Sequence, residues 1–262
     1  MFPVKPKKSL GQHFLKDETI AERIASTLDG FGQLPVLEVG PGTGVLTRWL
    51  LNKSKDLTVV ELDRESIAYL NQHFPELKGR IIEKDFLKLD LKQLYGDKPF
   101  CVIGNYPYNI SSQIFFKVLN YKNTIPCCSG MIQKEVAERL TASPGSKTYG
   151  ILSVLLQVWY DVEYLFTVSE QAFIPPPKVK SAVVRLTRNK RQQMDCDEKL
   201  FKTVVKTGFN QRRKMLRNSL KSLLSEGDQF PENEMFEKRP EQLSIAQFEE
   251  LTNLLMPLVK MN

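Results

Sequence analysis

Apolar residues at positions 20, 21, 24, 25 and 28 fall on one helical face behind a polar Asp17, so the spacing predicts an amphipathic helix over 17–28. Short apolar runs follow at 36–39, 57–62, 80–82, 100–103 and 127–132. Helical patterns at 44–52, 64–74 and 112–119 lie between or beside them, with Asp63 and Ser111 placed as polar caps. Runs that are apolar throughout, rather than alternating, predict strands buried on both faces, and their rhythm with helices predicts βαβ units and a mostly parallel sheet. After Gly150 the pattern changes: 150–160 is apolar enough for a buried helix, and 162–168 and 181–186 read as an antiparallel pair of strands at the sheet edge. Phe173-Ile174-Pro175-Pro176-Pro177 separates these two, being an unlikely strand interior. Beyond a polar, basic stretch at 187–197, helical periods recur at 198–209, 212–224 and 245–255. The expected organisation is one α/β domain over 1–190 and a small α-helical domain over 191–262.

Composition narrows the class. An apolar fraction of 42% in 262 residues is enough for a packed core, which argues against wholesale disorder. No apolar run approaches the roughly 18 residues that span a bilayer. The basic N-terminus leads into Ser9-Leu10-Gly11-Gln12-His13 rather than an apolar signal core, so the expectation is a soluble, cytoplasmic protein without membrane partners. Cys101, Cys127, Cys128 and Cys196 form no CxxC pair, and His13 and His73 are the only histidines, so no metal site is expected. A monomer is expected, although nothing in the sequence settles the oligomeric state.

Charge adds a partner. Fourteen Lys and Arg against three acids give the stretch 178–221 a net +11, whereas the rest of the chain sums to −4 and the whole to +7. Such asymmetry suits a polyanion-binding face, although a solvated helix surface is the plainer reading of most charge runs. Within the expected 212–224 helix, Arg212, Arg213, Lys214, Arg217 and Lys221 form one stripe, beside an apolar face of Met215, Leu216, Leu220 and Leu223. Lys5, Lys7 and Lys8 could extend the track, as could Lys178 and Lys180.

Candidate chemistry sits at the strand ends. Gly40-Pro41-Gly42-Thr43-Gly44 joins the first predicted strand to a helix, where backbone can approach a ligand closely. Its GxGxG spacing differs from the dinucleotide fingerprint GxGxxG. Glu61, 21 residues after Gly40, ends the next strand and can accept from both hydroxyls of a ribose. Asp85 at the third strand end can accept from an adenine amino group while Phe86 packs on the ring. Asp63 is better used as a helix cap. The fourth strand ends in Asn105-Tyr106-Pro107-Tyr108. Two acceptors, the Asn105 side-chain oxygen and the Tyr106 carbonyl, could grip both N–H groups of an adenine amine and release its delocalised lone pair. Pro107 would stiffen the turn and Tyr108 would offer a face to an extruded base. An ordinary Asn/Pro turn is the alternative for this stretch alone.

Five segments together carry a family resemblance: Ser9-Leu-Gly-Gln-His-Phe-Leu15, Glu38-Val-Gly-Pro-Gly-Thr-Gly44, Asn105-Tyr-Pro-Tyr-Asn-Ile-Ser-Ser112, Phe173-Ile-Pro-Pro-Pro-Lys-Val-Lys-Ser181 and Gly208-Phe-Asn-Gln-Arg-Arg-Lys-Met-Leu-Arg-Asn218. Over nearly its whole length the chain resembles the small-subunit ribosomal RNA adenine dimethyltransferases. The resemblance implies a Rossmann-like class I methyltransferase sheet, S-adenosylmethionine as methyl donor without a metal, and 16S rRNA in the small ribosomal subunit as substrate. It implies four transfers, two to each of two adjacent adenosines near the 3′ end, as a step of ribosome biogenesis. It also implies that His13, Leu15, Gly40, Gly42, Gly44, Glu61, Asp85, Phe86 and Asn105 serve the cofactor, and that Phe173, by residue type alone a core aromatic, stacks on the target base opposite Tyr108. His13 stands where the family often has Asn, which leaves open a pH dependence of cofactor binding. Tyr106 stands where it often has Leu. Two rival readings are a related enzyme acting on a large-subunit adenine in antibiotic resistance, and a nucleic-acid-binding factor on an inactive methyltransferase fold.

Overall fold

The computed structural model describes residues 4–7, 10–54 and 56–259. The expected positions Lys8 and Ser9 lie outside the described residues. Its strands are β1 (Phe14–Leu15), β2 (Val36–Val39), β3 (Leu57–Glu61), β4 (Ile81–Glu83), β5 (Cys101–Asn105), β6 (Cys127–Gln133), β7 (Tyr160–Val168), β8 (Phe173–Ile174) and β9 (Ser181–Arg188). Its α-helices are α1 (Glu18–Ala25), α2 (Val45–Lys53), α3 (Arg64–His73), α4 (Leu91–Tyr95), α5 (Ser111–Asn120), α6 (Lys134–Leu140), α7 (Ile151–Gln157), α8 (Glu198–Asn210), α9 (Leu216–Ser219) and α10 (Ile245–Leu255).

Seven strands form one sheet in the order β4-β3-β2-β5-β6-β9-β7. Pairings from β4 through β6 are parallel, and β9 runs antiparallel to β6. The central strands are buried along almost their full length, as runs without alternation require. Chain order reverses between β2 and β5, which opens a crevice beyond their carboxyl ends. A separate two-stranded pairing sets Phe14 opposite Ile174 and Leu15 opposite Phe173, so the proline-rich segment does enter a strand for two residues.

The chain divides into two compact units, one of residues 1–137 and 161–188 and one of residues 138–160 and 189–262. In the first, Ile24, Leu50, Val59, Ile103, Met131 and Val183 belong to a core between the sheet and its helices. In the second, Phe248 packs edge-on against Phe201 (6.4 Å) and tilted against Phe209 (6.0 Å), with Tyr149 against Phe209 (6.1 Å). The Arg191–Glu249 ion pair also belongs to this unit.

Two local expectations are corrected. Ser111 is the first residue of α5 rather than its cap, a place Ile110 takes, and its hydroxyl donates to the Tyr108 carbonyl at 3.2 Å. The helix expected over 212–224 is broken: residues 211–214 are turn, Met215 is extended, and only four residues of α-helix follow. The Leu216 N–H donates to the Lys238 carbonyl (2.8 Å), a partner outside any helical ladder, so no continuous stripe of cations forms. Leu216 and Leu220 are buried as expected, but Met215 is 45% exposed.

Candidate active site

The loops after β2, β3, β4 and β5 converge with residues 10–14 on one cleft of about 960 Å³, solvent-facing space included. Gly40 (φ +69°) and Gly42 (φ +56°) line it in left-handed backbone that side chains rarely adopt. A Cβ on Gly42 would stand 2.8 Å from the Phe14 ring, so the turn admits no side chain there. Gly44 caps α2 and packs against Phe74, away from the cleft wall.

Glu61 is buried at the cleft, and its two oxygens accept from three backbone N–H groups: Gly42 (3.1 Å), Leu62 (2.7 Å) and Asp63 (2.9 Å). Burial raises its pKa above the ordinary value against those donors, and the Asp63 charge adds to the rise. Asp63 caps α3, as expected, through the Glu65 N–H. Burial alone would raise the Asp63 pKa; donors from Lys7, Gln12 and Ser66 outweigh it and hold the carboxyl low. Lys7 therefore meets Asp63 and Glu65, which removes it from the expected basic track. Gln12, which lines the cleft, accepts from the Lys7 N–H (2.9 Å) and donates to Asp63 (3.3 Å).

Asp85 lines the cleft and spends one oxygen on the Leu87 N–H (2.9 Å), leaving the other for a ligand donor. Phe86 is buried in the same wall. Lys117, on α5, holds this loop from behind by donating to the Leu87 (3.1 Å) and Leu89 carbonyls, with its ammonium 5.2 Å from the Phe86 ring centre. Nothing in the sequence reading singled Lys117 out; a lysine amid the apolar face of α5 was the available signal. Glu38 stands on β2 two residues before the glycine loop, a position that gave no sign of its burial. It is a fully buried acid whose pKa burial lifts to about 8 despite a hydrogen bond from Thr47 (2.7 Å). Leu62, 51% exposed beside Glu61, also lines the cleft unforeseen.

The β5 end is the most constrained part. The Asn105 side-chain N–H donates to the His13 carbonyl (3.0 Å), which turns its oxygen the other way. Neither that oxygen nor the Tyr106 carbonyl accepts a hydrogen bond from the described residues, and both residues line the cleft. Tyr108 shares a hydrogen bond with Ser181 (2.5 Å) and lies stacked with His13 at 5.4 Å. The His13 ring nitrogen Nδ1 meets the Pro175 carbonyl at 2.8 Å. Burial raises the Tyr108 phenol pKa, so it stays a neutral, polarisable ring.

Several expected site residues stand elsewhere. Leu15 and Phe173 are paired and buried in the core, at 4% and 0% exposure, and neither lines the cleft. For Phe173 to stack on a base, its ring would have to leave that core. Lys178 and Lys180 are exposed just before β9. In the second unit Arg212 approaches Glu241 (3.8 Å) and the Ser146 carbonyl (3.3 Å), and Arg217 pairs with Glu237. Arg213, Lys214 and Lys221 are exposed and form no ion pair among the described residues.

A ligand with a ribose, an adenine and a zwitterionic tail suits this cleft: bare turn backbone at Gly40 and Gly42, the Glu61 carboxylate, and the Asp85–Phe86 pair are the groups such a molecule needs. No helix among the described residues is long and apolar enough to cross a membrane.

Residues 4–256 match the family model described as ribosomal RNA adenine dimethylase. A protein of Parabacteroides distasonis named ribosomal RNA small subunit methyltransferase A is 73% identical over 95% of this chain and 93% of its own length. Its namesake from Flavobacterium johnsoniae is 59% identical over 96% of both chains. Among solved structures, a dimethyladenosine transferase from Plasmodium falciparum superposes with a TM-score of 0.75 at 26% identity, covering 94% of this chain and 97% of that one. The 23S rRNA methyltransferase ErmE does so at 0.68 and 27% identity, covering 92% and 99%.

Proposed function

Because the chain belongs to the ribosomal RNA adenine dimethylase family, we propose that its cleft binds S-adenosylmethionine and carries out N6,N6-dimethylation of two adjacent adenosines near the 3′ end of small-subunit 16S rRNA. The observation that carries the mechanism is a pair of unfilled acceptors, Asn105 Oδ1 and the Tyr106 carbonyl, on consecutive residues that both line the cleft. Adenine N6 is a weak nucleophile because its lone pair is delocalised into the ring. Two acceptors on its two N–H groups favour a pyramidal nitrogen and free that pair. Tyr108 stacks on the extruded base, held at its hydroxyl by Ser181. Gly40, Gly42, Glu61, Asp85 and Phe86 hold the cofactor, which supplies an electrophilic methyl group when bound. The methylated amine is cationic and acidic, so it loses its proton without a dedicated base. One N–H remains after the first transfer and is gripped again for the second.

Residues 1–190 act in this reading as the catalytic domain and 191–262 as the RNA-binding domain, with Arg213, Lys214 and Lys221 as phosphate contacts and Lys178 and Lys180 as further ones. Arg212 and Arg217, engaged by acids, contribute less. The protein works as a cytoplasmic monomer on the small subunit. Identities of 59–73% to small-subunit enzymes favour that substrate over the large-subunit RNA named for ErmE, with which the fold is shared. The test is transfer of labelled methyl from S-adenosylmethionine to unmethylated small subunits, with large subunits alongside. Dimethyladenosine in the small subunit is expected; label confined to large-subunit RNA would overturn the assignment.

A further inference from the structure

We propose that the Tyr106 side chain is a positioning element, which aims its own carbonyl at the target amine by anchoring the loop to the middle of the sheet. The proposal deepens the reading above and rests on it. The ring is 1% exposed, although residue 106 needs only its backbone for the chemistry. It lies over two glycines on neighbouring strands: a Cβ on Gly104 would stand 3.0 Å from the ring, and one on Gly130 2.6 Å. Both glycines leave room for this ring, and the carbonyls of Val39 (2.5 Å) and Gly104 (2.3 Å) stand nearer still to those Cβ positions. Phe115 closes the seat edge-on at 6.0 Å.

The polar end is fixed as firmly. The phenol donates to the Ser129 carbonyl on β6 (2.7 Å) with Cys128 Sγ at 3.3 Å, and the Tyr106 N–H donates to the Met131 carbonyl (3.0 Å). Ser129 is itself held: its hydroxyl accepts from Thr27 (2.7 Å) and donates to the Val184 carbonyl (2.9 Å). Residue 106 is therefore pinned at its N–H and at the far end of its ring. Pro107 restricts the remaining backbone torsion. The carbonyl is the one polar group of the residue left without a partner, and its direction follows from the other anchors. Burial holds the phenol protonated, so the anchor persists at any pH the protein meets.

Tyr106→Phe keeps the ring and removes the hydroxyl; Tyr106→Leu also empties the seat. Single-turnover transfer to saturating small subunits is measured per S-adenosylmethionine-binding site, with cofactor affinity by calorimetry and Asn105→Ala in parallel. Expected is a transfer rate about fivefold lower for the Phe variant, with cofactor affinity changed by less than about twofold, and a larger loss for Leu. Monomethyladenosine should accumulate relative to dimethyladenosine in both variants. A merely structural role would lower the number of binding sites or the melting temperature and leave the rate per site intact. Wild-type rate and product ratio in Tyr106→Phe, with Asn105→Ala slow, would overturn this proposal alone. Wild-type rate in Asn105→Ala as well would overturn the reading of the whole loop.

Discussion

The loop at 105–108 and the segment at 211–221, to which the proposed function gives the target amine and the RNA phosphates, are built in opposite ways. In the first, Asn105 is turned by the His13 carbonyl, Tyr106 is bolted to Ser129 and Tyr108 to Ser181, and what remains open is a pair of acceptors. In the second, a turn and a fragment of helix leave Arg213 and Lys214 in solvent without ion partners among the described residues. The difference matches what the proposed function asks of each. Gripping two N–H groups of one amine is a matter of tenths of an ångström, and preorganised acceptors gain most in a water-poor site. Holding phosphates is a matter of net charge and counterion release, for which flexible cations serve.

The comparison breaks most visibly at Asn105. Asn105→Ala should lower the transfer rate by about 10²–10³, the usual cost of one preorganised polar contact to the reacting group. A loss under tenfold would mean that the loop is not the chemical centre.

The next effect is on the cofactor. Glu61→Gln should weaken S-adenosylmethionine binding by about 10–100-fold by calorimetry, since hydrogen bonds to a charged acceptor are the stronger kind. The Glu61 pKa is raised by burial, so its carboxylate begins to protonate at a higher pH than an exposed glutamate does. Affinity should therefore fall as pH is lowered toward the acid range, sooner than for an ordinary carboxyl, and the Gln variant should lose that dependence.

On β2, burial of Glu38 just before the glycine loop carries a stability cost of its own. Its folded pKa of about 8 lies above that of the unfolded chain, so the folded state keeps a proton the unfolded state has released. Stability contributed by the neutral form is present at low pH and lost as pH rises toward 8. Glu38→Gln can still accept from Thr47, and it should flatten this slope. Its expected gain is on the order of 1–3 kcal/mol at pH 9 and near zero at pH 4 in urea titrations.

The smallest effects belong to the second region. Arg213→Ala with Lys214→Ala should weaken small-subunit binding by roughly tenfold and reduce the log–log salt slope by about 1.5, without touching cofactor affinity. Arg217→Ala, already paired with Glu237, should change binding by less than about twofold. Equal losses from the two changes would show that exposure is not what selects the phosphate contacts.

The same contrast explains what the sequence made legible. Apolar runs dictate the strands, and a parallel sheet presents the ends of its strands on one edge. Gly40, Glu61, Asp85 and Asn105 could therefore be placed together without coordinates. Partners distant in sequence were invisible. The helix drawn over 212–224 satisfied every apolar period, yet the Leu216 N–H is taken by Lys238, 22 residues on. Lys7 counted as one more cation until Asp63, 56 residues away, proved to hold it. Segment 138–160 falls in the first domain by sequence, because the change of pattern at Gly150 resembles no domain boundary, but its contacts belong to the second unit. Phe173, a core aromatic by residue type, is fully buried, and the stacking role that the resemblance implies would require its ring to move.

The most direct test of the division between fixed and flexible chemistry is single-turnover methyl transfer to unmethylated small subunits, titrated to saturation for Asn105→Ala and for the Arg213→Ala, Lys214→Ala pair. The account predicts that Asn105→Ala loses its rate at saturation while its half-saturating subunit concentration stays near wild type. The double variant should need more subunit yet reach the wild-type rate. A saturated rate preserved in Asn105→Ala, or lost in the double variant, would contradict it.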